Sequence, residues 1–225
     1  MAPPHHDART LTPEEAKAFY DRFGGKQDAQ VFYEASALEH LVANSAFEQA
    51  RSVFEFGCGT GRFALELLRH HLPPESIYRG TDISTTMVEI ASARLAPFAA
   101  RATVTPSSGR PALALADASV DRFVSTYVFD LLPAAVVRQV LAEARRVLRP
   151  DGLVCLTGIT RGNTPFSRFV MGAWARVFAM NPSWVGGCRP TELAGLLLPS
   201  DWSIRFRRVV VAWGVASEVV IASVH

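Results

Sequence analysis

Glu55-Phe56-Gly57-Cys58-Gly59-Thr60-Gly61 is the stretch on which the fold turns. Just before it, Ser52-Val53-Phe54-Glu55-Phe56 is a short apolar run of the kind that forms a buried strand. Just after it, Arg62 to His71 carries Phe63, Leu65, Leu67 and Leu68 at helical spacing and stops at Pro73-Pro74. Glycines between a strand and a helix let the backbone turn sharply and approach a ligand closely, while the helix amides point at it. The plain alternative is a tight structural turn. Glycines at 57, 59 and 61 spell G-x-G-x-G, whereas the dinucleotide fingerprint needs a glycine where Arg62 stands. A pyrophosphate cradle is therefore disfavoured. Glu55, two residues before the first glycine, suits a ligand with a cationic end.

Working outward, strands and helices alternate. Ile77 to Thr81 reads as a strand, Ser84 to Ala99 as a helix with Met87, Val88, Ala91 and Leu95 on one face, and Ala102 to Thr105 as a strand. Asp121 to Val128, Pro133 to Leu148 and Leu153 to Ile159 continue as strand, amphipathic helix and buried strand. Such alternation predicts an α/β, doubly wound, mostly parallel seven-stranded sheet with helices on both faces. Ile204 to Ala212 and Ser217 to Val224, flanking Trp213-Gly214-Val215-Ala216, predict a C-terminal antiparallel hairpin on that sheet. Two helices precede the first strand: one opened by Thr12-Pro13-Glu14-Glu15 and stopped by Gly24-Gly25, the other over Val31 to Ala43. The expectation is one domain over 1–225: a helical cap (1–50), a core (51–160), a lid (161–200) and the hairpin (201–225).

Composition narrows the function. The 225 residues are 49% hydrophobic and 20% charged, ordinary for a globular chain. With 23 basic and 21 acidic residues the net charge is +2, which gives no sign of a nucleic-acid binder; Arg205, Arg207 and Arg208 read as the solvated face of a strand. Cys58, Cys155 and Cys188 lack zinc-ligand spacing and make no disulfide framework, so no metal is expected and a reducing, cytoplasmic setting fits. No apolar run approaches the roughly 20 residues of a spanning helix. The opening Met1 to Asp7 does not read as a signal peptide, and His5-His6 reads as solvent-exposed.

Asp82 follows Gly61 by 21 residues, at the end of the second strand, where doubly wound folds place an acid on ribose hydroxyls. The competing reading makes Ser84 a helix N-cap and Asp82 a dipole partner. Together the motifs carry a resemblance. Val53 to Gly61 resembles motif I of class I methyltransferases; Asp82-Ile83-Ser84-Thr85-Thr86-Met87 resembles their D-x-S-x-x-M element. Asp117 to Val124 is similar to the segment entering their fourth strand, and Glu143 to Gly152 to the E-x-x-R-V-L-R-P-x-G run before the fifth. The likeness is greatest to the small-molecule, methyltransferase type 11 branch that includes the UbiE-like enzymes. It implies S-adenosyl-L-methionine as cofactor and S-adenosyl-L-homocysteine as product. It further implies that the backbone of Gly57, Cys58, Gly59 and Gly61 passes the methionine moiety, with Glu55 at its amino group, Asp82 on the ribose and Ile83 on the adenine. Met87 is placed at the cofactor or in the core; Thr126 and Tyr127 near the transferred methyl; Tyr20 over the methionine end. The family's acid after strand three is missing: the chain reads Pro106-Ser107-Ser108-Gly109-Arg110, so Ser107 and Ser108 are the candidates for adenine.

Methyl transfer from a sulfonium is an in-line displacement that a dry, aligned site accelerates, with a base needed only where the acceptor loses a proton first. The catalytic candidates are Tyr127 and Asp130, the latter also readable as an N-cap near Pro133. His70 and His71 read as partners of helix-end carbonyls, and Cys188 as a small buried hydrophobe. Thr164 to Met180 carries large hydrophobes on nearly all sides, read either as a helix packed on the sheet or as a lid or membrane-touching element. Phe129, Phe166, Trp174, Trp184 and Arg189 are the acceptor-site candidates. The expected function is methylation of a hydrophobic small-molecule or lipid-like acceptor, at O, N, S or C. The alternatives are a quinone-ring C-methyltransferase and a non-catalytic sensor or scaffold that binds the cofactor. The expected partners are a small-molecule or lipid-like substrate and, peripherally, a membrane, without nucleic acid.

Overall fold

The computed structural model describes residues 10–225; Met1 to Asp7, with His5 and His6, lie outside the described residues. Seven strands form one sheet in the order β3-β2-β1-β4-β5-β7-β6. They are β1 (Ser52–Phe56), β2 (Ile77–Asp82), β3 (Ala102–Pro106), β4 (Val120–Thr126), β5 (Leu148–Ile159), β6 (Trp202–Ala212) and β7 (Val215–Val224). The first five pair in parallel, and β7 runs antiparallel to both β5 and β6. The anticipated hairpin is present, and β7 enters the sheet between β5 and β6 rather than adding beyond them.

Among the described residues six α-helices surround the sheet: α1 (Pro13–Phe23), α2 (Val31–Asn44), α3 (Arg62–His70), α4 (Thr85–Leu95), α5 (Ala134–Val147) and α6 (Pro165–Met180). Alternation along each strand splits the core in two. Val53 faces a cluster with Leu41, Phe63, Leu67 and Ile221, while its neighbour Phe54 faces one with Phe123, Val140, Leu141 and Leu156. Full burial of such side chains stabilises by about 1.5–3 kcal/mol each. α1 is opened by a capping box between Thr12 and Glu15, with Pro13 at its first position. Its Asp21 accepts from the Ser84 hydroxyl (2.6 Å) and the Thr86 amide, while Ser84 accepts from the Met87 amide and so caps α4. One aspartate thereby ties the N-terminal cap to the start of α4.

The reversal of strand order falls between β1 and β4, and a doubly wound sheet binds ligands outside the carboxyl ends of the strands at that point. The parts placed there are the glycine turn after β1, Asp82 ending β2, and Thr126-Tyr127 ending β4. No helix among the described residues is long and apolar enough to cross a membrane.

Candidate active site

Gly57, Gly59 and Gly61 all have positive φ (78°, 52° and 71°), a conformation that side chains resist. The space is equally restrictive. A Cβ on Gly57 would lie 2.4 Å from Val128 Cγ2, and one on Gly59 would lie 2.8 Å from Gln27 Oε1. The Gly57 and Cys58 amides both donate to the Thr81 carbonyl, fixing the turn against β2. Asp82 completes it: Oδ2 accepts from the Gly59 amide and Oδ1 from the Ser84 amide, each at 2.9 Å. A carboxylate has about four lone-pair sites, so both oxygens retain capacity for a ligand. Ser84 thus caps α4, while Asp82 closes the glycine turn beside the cavity.

That cavity measures about 370 Å³ and is walled mostly by apolar groups. Its floor is the carboxyl edge of the sheet, with Phe56, Gly57, Asp82, Ile83, Thr126 and Tyr127. Thr10 to Pro13, Ala16, Tyr20 and Gln27 cover it, Ser107 and Gly109 flank one end, and Leu131, Leu132, Val136 and Val140 flank the other. A small polar chamber adjoins it and shares Gln27, Gly57, Thr126 and Tyr127; Asp28, Glu34, Glu55, Cys58, Gly59 and Arg62 are among its other lining residues. Ten sequence candidates thus meet here: Tyr20, Glu55, Gly57, Cys58, Gly59, Asp82, Ile83, Ser107, Thr126 and Tyr127.

The chamber is acidic. Glu55 is buried and accepts from the Tyr78 hydroxyl at 2.6 Å; burial pushes its carboxyl up to about 7 against that hydrogen bond. Burial also pushes Glu34 up to about 7, against Arg62, which binds it at 2.6 Å. Asp82 is raised by burial despite its backbone donors. Asp28 is penalised by burial too, but Arg94 and the Thr60 hydroxyl outweigh this and hold it low. Gln27 Oε1 is buried without a hydrogen-bond partner. An unpaired acceptor, a cradle that tolerates no Cβ and several carboxyls fit a ligand that brings an ammonium, a sulfonium and ribose hydroxyls. S-adenosylmethionine is such a ligand. Tyr127 shows that the edge is held under tension: its φ is +56°, uncommon for a bulky residue, and its hydroxyl donates to Ser217 Oγ at 2.9 Å.

The chain matches the family model described as a methyltransferase domain over residues 53–152. That match takes in the glycine turn, Asp82 and the end of β4, and covers less than half of the chain. Around this match the likeness reaches further. Over 172 residues the chain is 30% identical to the tRNA N(3)-methylcytidine methyltransferase Mettl2 of Drosophila melanogaster, covering 70% of this chain and 52% of that one. It is 28% identical over 162 residues to a malonyl-acyl-carrier protein O-methyltransferase of Marinomonas sp. (strain MWYL1), covering 72% and 57%. The chain thus spans about half the length of these curated relatives. Among solved structures, the cyclase SpnF superposes with a TM-score of 0.71 at 13% identity, over 97% of this chain and 98% of that one, a likeness of fold alone.

Other sequence candidates fall elsewhere. Gly61 caps α3 against Ala91 and Met87 is fully buried in α4, so both serve packing. Ser108 is exposed, its Oγ accepting from the Arg110 amide. Phe129 turns into the core beside Phe56. Phe166 and Trp184 face solvent, and Trp174 donates to the Cys188 carbonyl at 2.8 Å. Arg189 donates to the Leu132 carbonyl and lines a groove along α6. Asp130 is no helix cap. It is fully buried, accepts from the Ile159 amide through Oδ2, leaves Oδ1 unpaired and is pushed up to about 7 by burial. α6 packs on β7 and is absent from the walls of the cavity, whose cover is the N-terminal segment. Gln27, Asp28 and Glu34 lie in the site without having been singled out; only contact across the fold places them there.

Proposed function

We propose that the chain transfers the methyl group of S-adenosylmethionine to a hydrophobic small-molecule or lipid-like acceptor, at O, N, S or C, by in-line displacement. The supporting observation is the cavity itself: polar where Asp82, Ser107 and Gln27 meet it, and apolar toward Leu131, Leu132, Val136 and Val140. In this reading the cofactor supplies an electrophilic methyl on a sulfonium. Gly57 and Gly59 admit the methionine moiety, Glu55 and Gln27 take its ammonium, Asp82 the ribose, and Ile83 and Ser107 the adenine. Tyr127 and Thr126 line the reaction centre, and the cover formed by residues 10–20 excludes water. Asp130, buried next to Leu131 outside the cavity lining, is the candidate to receive a proton where the acceptor must lose one.

Thermal melts with S-adenosylmethionine, S-adenosylhomocysteine and NAD test the cofactor half. Stabilisation by the first two alone is expected, and a shift with NAD only would refute it. Radiolabelled methyl uptake by apolar phenols, amines, thiols and quinones tests the acceptor half. The Drosophila relative supports a second reading, in which the acceptor is a transfer RNA. Methyl incorporation into transfer RNA and none into apolar acceptors would replace the first reading with the second. Cofactor binding without turnover on any of these would favour a sensor or scaffold.

A further inference from the structure

Between Asp151 and Glu192 the chain has no acidic residue and four arginines, Arg161, Arg168, Arg176 and Arg189. α6 occupies the middle of this stretch. One side of it buries Ser167, Met171 and Phe178. The opposite side, at spacings of three and four, carries Phe166, Phe169, Ala173, Arg176 and Met180, all exposed; Phe169 is 73% exposed. Of the arginines only Arg176 lies in this stripe; Arg161 and Arg168 border it in the adjoining groove with Met171 and Phe178, and none of the three has an ion pair among the described residues. At the start of α6 the stripe meets the β6–β7 turn, where a Cβ on Gly214 would lie 2.8 Å from both Phe166 and Val170.

That turn carries the second observation. Trp213 and Gly214 are its two central residues, with φ of 54° and 84°. Two-residue turns with both φ positive favour Asn or Gly at the first place. A tryptophan there is strained, and the residue is 80% exposed, so neither packing nor turn chemistry accounts for it.

We infer that the outer face of α6 and the Trp213 tip form a docking surface for an anionic phospholipid membrane. Exposed aromatic and thioether side chains enter the interfacial layer, and the arginines meet the phosphates. A second copy of the chain fits this face poorly, because a two-fold contact would oppose arginines with no acid in the segment to pair them. The inference holds whichever acceptor is methylated.

Flotation of the full chain with vesicles decides it. Binding to phosphatidylglycerol–phosphatidylcholine vesicles at low salt is expected, with little or none to phosphatidylcholine alone. Arg168→Glu with Arg176→Glu should weaken binding by at least about tenfold, as should Phe169→Ser with Trp213→Asn. Trp213→Asn alone should raise the melting temperature, because Asn suits the turn, while lowering vesicle binding; a purely structural tryptophan would not separate the two. All variants should keep the wild-type thermal shift with S-adenosylhomocysteine. Wild-type protein that stays unbound at low salt, or serine and asparagine variants that float as well as wild type, would overturn the inference. So would a dimer that Phe169→Ser dissociates, which assigns the face to a second copy, or the same mutational sensitivity in binding an oligoribonucleotide without vesicle binding.

Discussion

Asp82 concentrates two tasks in one side chain. It receives the Gly59 and Ser84 amides and presents its remaining lone pairs to the cavity. Asp82→Ala should weaken S-adenosylhomocysteine binding by about 1.5–3 kcal/mol by calorimetry, the range for hydrogen bonds to a charged group. Unchanged affinity would remove Asp82 from the ribose. Gly57→Ala should be worse tolerated than its one methyl suggests, since that methyl would lie 2.4 Å from Val128 Cγ2 at a φ of +78°. Overpacking of this kind costs about 1–3 kcal/mol, and the expected signature is a lowered melting temperature together with lost cofactor stabilisation. A variant as stable as wild type would show that Val128 moves aside freely. Glu55 adds a pH test. With its carboxyl at about 7, taking up a cationic ammonium must release a proton at neutral pH, so affinity should rise as pH goes from about 6 to 8. Glu55→Gln should flatten that profile; a slope unchanged by the substitution would assign the proton to another group.

At the scale of elements, the N-terminal cap is clamped onto the glycine turn. The short 3₁₀ segment Gly24–Gln30 puts Asp28 on the Thr60 hydroxyl (2.6 Å) and on Arg94 (2.7 Å), while Arg94 also donates to the Thr60 carbonyl. Arg94→Ala should leave the sheet intact but loosen this clamp. Faster amide exchange over residues 24–30 and faster release of S-adenosylhomocysteine are expected, whereas wild-type exchange in that segment would show that the clamp is not what holds the cap. The sequence made the cap's helices readable, because Thr12-Pro13 and Gly24-Gly25 are local signals. It did not make the clamp readable, because Asp28 and Arg94 are 66 positions apart and neither belongs to a periodic pattern. The N-cap alternative for Asp130 fails for a related reason. Asp-Leu-Leu-Pro looks locally like a helix start, but α5 is capped at Pro133 and the Asp130 carboxylate accepts from the Ile159 amide of β5. α6 was readable as a helix, and its amphipathy was blurred because its outer face is apolar as well.

For the molecule as a whole, carboxyls raised by burial set the sign of the response to pH, Asp82 among them. Glu34, Glu55 and Asp130 each stand at about 7 in the folded chain, all through burial, against about 4 when unfolded. Between those values the native state holds more protons than the unfolded one, so stability should fall as pH rises from about 4 to 7 and level off above. Asp21, held to about 2 by Lys17 and Ser84, acts below that window. Urea melts across the range check the sign, and a rising or flat profile would mean that these acids ionise with little penalty. The sheet was largely legible before any coordinates, since glycine turn, alternation and hairpin are each local patterns. The order of its last two strands was not, and it carries a kinetic meaning. β7 follows β6 along the chain but lies between it and β5, so β6 has no place to attach until β7 has arrived. β6 is thus held to the sheet through β7 alone, by a local hairpin that forms quickly, while the long-range pairing of β7 with β5 is the slower contact on which both strands depend.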